Sequence, residues 1–278
     1  MIIVVASGKG GTGKTTIATS LALSLPRAQF VDADAEEPNA HLFLEPAIEQ
    51  TIPVYMMVPE VDLDRCTFCG KCAQFCQFNA LAVIRDKVLV FPELCHGCGG
   101  CLLVCPEKAV REKLRQLGEV EVGTAKGMRF IQGRLKPGEP SAVSIVHEEM
   151  AQAGDGLPTI VDASPGTACA VVETISQADF CLLVTEPTPF GRHDLIMAMD
   201  VAAEVQVPAG VVINRSGARD HLIEEECERR GIPVLLKVPF QRAIAEAYSR
   251  GECLVEAFPE WRKSFQKLLD DIRQRVSQ

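Results

Sequence analysis

A chain of 278 residues is long enough to bury the core of one large domain or two modest ones. With 47% hydrophobic and 23% charged residues it has the balance of a globular protein, which excludes a disordered or low-complexity chain. The formal net charge of -9 argues against a broad nucleic-acid surface, because neutralising phosphates takes clustered Lys and Arg.

Residues 2–6 are an apolar, β-branched run that reads as a buried strand, and they lead straight into a glycine-rich turn. Without a basic leader segment before them, no secretory signal is expected. No apolar run reaches the ~18–20 residues that span a bilayer, so stable membrane insertion is not expected either and the location should be cytoplasmic. A helical pattern covers residues 14–25 and Pro26 ends it; a second strand then runs through Phe30 and Val31 into Asp32. This βαβ start predicts an α/β fold with a mostly parallel sheet. The rhythm breaks between residues 53 and 112, where two cysteine runs flank a hairpin-like stretch at 81–91. It resumes with strands at 159–161, 180–184, 211–213 and 234–236, and helices at 195–205, 221–230, 242–250 and 261–276. Between 117 and 150 the pattern is weaker, with strands at 119–122 and 129–132 and a helix before Gly154. The expected organisation is one α/β domain of residues 1–57 and 113–278, interrupted by a small α+β insert at 58–112. The last helix is amphipathic, with Phe265, Leu268, Leu269 and Ile272 on one face, and docking on the sheet is its expected role rather than lying on a membrane.

The string Gly8-Lys9-Gly10-Gly11-Thr12-Gly13-Lys14-Thr15 fits G-x-x-x-x-G-K-[ST] between a strand and a helix. Glycines let successive backbone N–H groups turn towards phosphate oxygens, and the helix N-terminus adds positive potential. Lys14 is expected at the β- and γ-phosphates and Thr15 on Mg²⁺, with Thr16 also among the nucleotide contacts. A bare strand–helix turn would need neither the Lys-Thr pair nor this context.

Twelve cysteines are many for such a chain, and eight fall between Cys66 and Cys105. In a reducing compartment that density points to metal ligation and not to disulfides. Cys66-x2-Cys69-x2-Cys72-x3-Cys76 and Cys95-x2-Cys98-x2-Cys101-x3-Cys105-Pro106 both match the run of bacterial two-cluster ferredoxins. In that run three thiolates grip one cubane and the fourth reaches the other. The expected sets are therefore Cys66, Cys69 and Cys72 with Cys105, and Cys95, Cys98 and Cys101 with Cys76. Gly70, Gly97, Gly99 and Gly100 leave room for N–H···S contacts. Zinc is the alternative, but its sites favour C-x2-C pairs with longer gaps. Gln77 departs from the proline usual after the fourth cysteine.

The loop K-G-G-T-G-K-T resembles the deviant phosphate loop of the MinD/ParA/Mrp and nitrogenase iron-protein ATPases. That resemblance implies that Lys9 reaches across an ATP-bound dimer, whereas an isolated loop lysine would merely be solvated. It further implies that Asp34 orients the attacking water, with Asp32 beside Mg²⁺. By the same resemblance Asp162 holds Mg²⁺ through water, the Gly166 N–H senses the γ-phosphate, Asn214 reads adenine, and the loop at Val238, Pro239 and Phe240 covers the base. Glu186 to Gly191 looks like the loop after the following strand. With the cysteine runs, the chain resembles MinD-superfamily ATPases carrying an inserted ferredoxin domain. The resemblance implies ATP, Mg²⁺ and two [4Fe-4S] clusters, a homodimer or a heterodimer with a paralogue, and a redox or metallocofactor-assembly partner.

Three functions compete: an ATPase that gates electron transfer or cofactor assembly, a positioning ATPase with clusters as sensors or staples, and a cluster carrier. The insert lies between Asp34 and Asp162, whose segments resemble the two nucleotide switches of the MinD/ParA/Mrp group; this favours the first, since a switch movement would be felt there. Cys169, seven positions after Asp162, has the offset of a cluster cysteine in the nitrogenase iron protein. The plainer reading, a half-buried thiol in a first helical turn, is favoured. Cys181, Cys227 and Cys253 are expected in the core.

Overall fold

The structure is a computed structural model that describes residues 1–154 and 156–277. In chain order it runs β1 (Ile2–Ala6), α1 (Lys14–Leu23), β2 (Gln29–Ala33), α2 (His41–Leu44), β3 (Ala47–Val61), α3 (Lys71–Phe75), β4 (Leu81–Ile84), β5 (Lys87–Val90), α4 (Gly100–Leu103), β6 (Val110–Ala125), β7 (Met128–Leu135) and α5 (Val143–Gln152). It continues with β8 (Thr159–Ala163), α6 (Cys169–Ser176), β9 (Phe180–Thr185), α7 (Pro189–Glu204), β10 (Ala209–Ser216), α8 (His221–Arg230), β11 (Val234–Pro239), α9 (Arg242–Ser249), α10 (Leu254–Ala257) and α11 (Trp261–Val276).

Nine strands form one sheet in the order β11-β10-β9-β1-β8-β2-β7-β6-β3, and β4 pairs with β5 as a separate hairpin. From β11 to β7 the neighbours are parallel; β6 and β3 add an antiparallel edge. The central strands are buried throughout and mostly apolar because both faces are covered, the condition under which parallel strands are stable. Alternate side chains feed two cores. Ile3, Phe30, Phe130 and Ile160 face α1 and α11, whereas Val4, Val31, Ile131 and Val161 face α5, α6 and α7. The apolar stripe of α11 is buried in the first core, as its periodicity predicts.

Two boundaries differ from the sequence reading. Helix α7 begins at Pro189 and not near Leu195, because proline suits the first helical turn and Thr188 caps it by accepting the Gly191 N–H at 2.9 Å. The expected strand at 119–122 is only the middle of β6, a 16-residue strand. Its partner β3 did not stand out in the sequence, because most of its residues are exposed and lack a buried-strand pattern.

That pair carries the cysteine segment. It runs from Ala47 opposite Thr124 to Val61 opposite Val110, so both strands pass through residues 58 and 112 without interruption. β6 pairs with β7 only from Gly118 to Ala125, and the register shifts between Val54 and Tyr55, where Leu117 is the extra residue. Beyond this bulge the two strands project from the sheet as a ribbon. At its far end α3, α4 and the β4–β5 hairpin gather around two small apolar groups, Val58, Ala80 and Cys95 in one and Leu81, Cys101 and Val110 in the other. Cores this small do not hold a segment of this length together without a staple.

Because Phe265 is fully buried, Phe265→Ala is expected to destabilise the protein by about 3–5 kcal/mol, read as a lowered urea midpoint.

Candidate functional site

The loop between β1 and α1 is held by close backbone approaches. A Cβ on Gly8 would lie 2.0 Å from the Asp194 carbonyl oxygen, so only glycine fits. Gly13 has φ +89°, and a Cβ there would lie 2.2 Å from Asn214 Nδ2. That amide donates to the Thr12 carbonyl at 2.8 Å and ties the loop to the end of β10. Helix α1 has no side-chain cap, and the buried Thr12 hydroxyl is without a partner among the described residues. A phosphate meets both needs, since free helix N–H groups and a hydroxyl are its natural ligands. Lys14 is buried close enough to Asp34 and Asp162 to offset part of the rise that burial imposes on both carboxyls.

Thr15, Asp32 and Asp162 converge at the start of α1. Asp32 and Asp162 are direct neighbours across parallel strands β2 and β8. The Thr15 hydroxyl lies 2.5 Å from Asp162 Oδ2 and 2.9 Å from Asn39 Oδ1; with one hydrogen it donates to one of them at a time. Asp162 Oδ1 is buried without a partner among the described residues. Two carboxylates, a hydroxyl and an orphaned oxygen form the hard-oxygen set that suits Mg²⁺. Asn39 escaped the sequence reading. Its backbone N–H and that of Ala40 donate to Asp32 Oδ2 at 2.9 and 2.8 Å, fixing the turn after β2. An asparagine just before a short helix carries no signal of such a role by itself.

Gly11, Gly13, Thr16, Asn214, Pro239 and Tyr248 line an open cavity of about 880 Å³, mouth included, in which the expected base-pocket residues meet. Both ends of the Asn214 amide are engaged by the protein, with Oδ1 accepting the Arg215 N–H at 3.0 Å. The Gly166 N–H likewise donates to the Ser7 carbonyl at 2.9 Å, away from any γ-phosphate role. Lys9 is ion-paired within its own chain to Glu186 at 2.6 Å.

The cysteines fall into two groups. Cys66, Cys69, Cys72 and Cys105 line a cavity of about 360 Å³, and Cys76, Cys95, Cys98 and Cys101 line another of about 410 Å³, mouths included. The two runs repeat each other's backbone. Phe68 and Gly97 donate N–H to Cys66 and Cys95 Sγ at 3.4 Å; Ala80 and Ala109 donate to Cys76 and Cys105 Sγ at 3.4 and 3.3 Å. Phe68, Gly70 and Asn79 are left-handed, as are Gly97, Gly99 and Lys108 at the matching positions. Glycine therefore serves mainly to start α3 and α4, and Phe68 donates without being glycine. Among the described residues no three His, Cys, Asp or Glu side chains converge on a point suited to a single metal ion.

A further cavity of about 950 Å³ lies where the parts meet. Its walls include Glu36 after β2, Ala168 and Cys169 at the start of α6, Leu117 at the bulge, and Cys95 and His96. Cys169 is exposed, not half-buried as expected, because it opens α6 on this cavity; Cys181, Cys227 and Cys253 are buried.

Residues 3–255 match the family described as CobQ/CobB/MinD/ParA nucleotide binding domain, CbiA. The chain belongs to this family. It is 30% identical over 274 residues to the uncharacterized protein MJ0579 of Methanocaldococcus jannaschii, covering 92% of each chain. It is 32% identical over 227 residues to MJ0578 of the same organism, covering 78% of this chain and 79% of that one. The septum site-determining protein MinD of Pyrococcus horikoshii, solved with Mg-ADP, shares the fold with TM-score 0.61 at 17% identity, covering 98% of this chain and 95% of that one.

For this CobQ/CobB/MinD/ParA-family chain the electrostatics of the carboxylates give a direct check. Burial, then the neighbouring Asp162, pushes Asp32 up to about 8. Burial pushes Asp162 up to about 6 against the pull of Lys14, and it raises Asp34 as well. The folded chain thus binds these protons more tightly than the unfolded one, so stability from them is full below about pH 4 and is lost as pH rises through about 6 and 8. Without Mg²⁺ and nucleotide, the melting temperature is expected to fall between pH 5 and 8.5; Mg-ADP should flatten that slope, and Asp32→Asn should reduce it.

Proposed function

We propose that the protein is a nucleotide-switched ATPase whose residues 58–112 form an insert holding two [4Fe-4S] clusters, and that the switch is coupled to electron transfer or metallocofactor assembly. The observation that carries this reading is the division of eight cysteines into two cavities of four, each with three cysteines from one run and the fourth from the other. This crossing is what two-cluster ferredoxin ligation requires. Each cavity also has backbone N–H groups on its sulfurs, which stabilise thiolate charge. A four-iron cluster, when bound, supplies reversible one-electron chemistry. The chain's part is to hold it, shield it and set its distance from a partner. Burial pushes the Cys101 thiol up to about 11, so without a bound metal it stays protonated.

At the end of β1, in the parallel part of the sheet, the loop at 8–13 and the first turn of α1 bind the phosphates of ATP. Lys14 neutralises the β- and γ-phosphates, and Thr15, Asp32 and Asp162 hold Mg²⁺ directly or through water. Asp34, near Lys14, orients the attacking water; Asn214 and Pro239 take the base. Lys9 completes the site of a second copy, identical or a paralogue. For phosphate sensing, Gly166 exchanges Ser7 for the γ-phosphate. That exchange moves the segment leading to Ala168 and Cys169, which shares a cavity with Cys95 and His96, and so reaches the second cysteine group. We assign the protein to the cytoplasm, with a redox or cofactor-assembly protein as partner; no helix of the described residues is long and apolar enough to cross a membrane.

The fold shared with MinD supports a second reading, a positioning ATPase with the clusters as sensor or staple. Burial of the α11 stripe speaks against use of that helix on a membrane. Transferable iron would instead favour a cluster carrier.

Anaerobically purified protein is expected to hold about eight irons per chain and to hydrolyse Mg-ATP. Cys76→Ala should remove the paramagnetic signal of the group held by Cys95, Cys98 and Cys101 and spare the other. Zinc in place of iron, or loss of the Cys66 group in that variant, would overturn the reading.

A further inference from the structure

Lys9 is the one residue of the phosphate loop whose proposed work lies in another subunit, yet its side chain is bound at home. Its ammonium lies 2.6 Å from Glu186 Oε1, and Arg215 Nη1 lies 2.9 Å from Oε2 of the same carboxylate. The Glu186 side chain is 14% exposed, so the contact is mostly shielded from water on the carboxylate side. Burial works to raise the Glu186 carboxyl, and Lys9 with Arg215 outweighs it, keeping the group ionised below the usual glutamate range.

The backbone around Glu186 is fixed. Its carbonyl accepts the Thr188 N–H at 2.8 Å, and a Cβ on Gly191 would lie 2.2 Å from that carbonyl oxygen. The Thr185 hydroxyl donates to the Gly191 carbonyl at 2.9 Å. Glu186 is thus a rigid post between β9 and α7, aimed across the mouth of the phosphate loop. On the other side, the Lys9 carbonyl is held by the Ser7 hydroxyl at 2.6 Å. Reaching a neighbouring copy therefore means that Lys9 swings its side chain and gives up this ion pair.

The geometry points to Glu186 as a positioning residue that retains Lys9 in its own subunit and so restrains ATP-driven pairing of two copies. This rests on the proposed action of Lys9 across a dimer. Arg215 extends the arrangement to the base pocket, since it lines that cavity beside Asn214 and shares the Glu186 carboxylate. Occupancy of the base pocket is thereby felt at Lys9 through one side chain.

The test is sedimentation of anaerobic, cluster-loaded protein with Mg²⁺ and a non-hydrolysable ATP analogue. Glu186→Gln keeps the shape and removes the charge. It is expected to pair with at least about a five-fold lower dissociation constant than the unaltered protein, the scale of one partly exposed ion pair per copy. Its ATPase rate at low protein concentration should rise in step. Damage to the fold would weaken pairing, so a gain cannot arise from a merely structural role; an unchanged melting temperature checks this. Lys9→Ala should abolish pairing, and Lys9→Ala with Glu186→Gln should behave as Lys9→Ala alone. If Glu186→Gln pairs no better while Lys9→Ala fails to pair, the restraint is disproved and the role of Lys9 stands. If Lys9→Ala pairs normally, the role of Lys9 across the dimer falls, and the restraint with it.

Discussion

Two carboxylates whose burial disfavours both being charged at neutral pH sit side by side at the centre of the sheet. Asp32 and Asp162 end adjacent parallel strands, and the apolar residues of β2 and β8 fix the register that makes them neighbours. Burying like charges together is costly unless they are neutralised or protonated. Much of the surrounding arrangement answers that cost. Lys14 is buried near Asp162, Thr15 offers its hydroxyl, and the turn after β2 gives Asp32 two backbone N–H groups. A Mg²⁺ bound with nucleotide would relieve the same strain, and the segments that touch these carboxylates are those following β2 and β8. The ligand's effect on the chain is therefore built into the central strands.

The row of polar groups continues beyond Asp32. Gln132 on β7 stands opposite it and donates to Glu121 on β6, which also pairs with Arg134 at 3.0 Å. β6 is the strand that runs on, past the bulge at Leu117, into the cysteine-bearing ribbon. The two proposed activities are thus joined by continuous covalent and hydrogen-bonded structure and not by a flexible linker. The large cavity beside the bulge has residues from the segments after β2 and β8 and from the second cysteine group on its walls.

The phosphate loop and the central strands were legible because their chemistry dictates local sequence. Glycines at 8 and 13 are demanded by approaches that no Cβ tolerates, and buried parallel strands must be apolar on both faces. The spacing of the two cysteine runs matches the two cavities of four cysteines that the fold forms. What the sequence concealed depends on partners far along the chain. β3 is a mostly exposed strand that makes sense only against β6, and Asn39 gains its role from Thr15 and Asp32. Glu186 read as a loop residue, since nothing nearby in sequence announces a pair with Lys9. The engagement of Gly166 and Asn214 with the protein itself was equally invisible, because family resemblance describes a nucleotide-bound site.

The central claim is that nucleotide at Asp32 and Asp162 is felt at the cysteine groups. The most direct measurement is a potentiometric titration of the signals expected from the two proposed clusters, once with Mg-ADP and once with Mg²⁺ and a non-hydrolysable ATP analogue. Coupling through the ribbon requires the potential of the group held by Cys76, Cys95, Cys98 and Cys101 to shift between the two states, and to shift more than that of the Cys66 group. Superimposable titrations for both groups would contradict it.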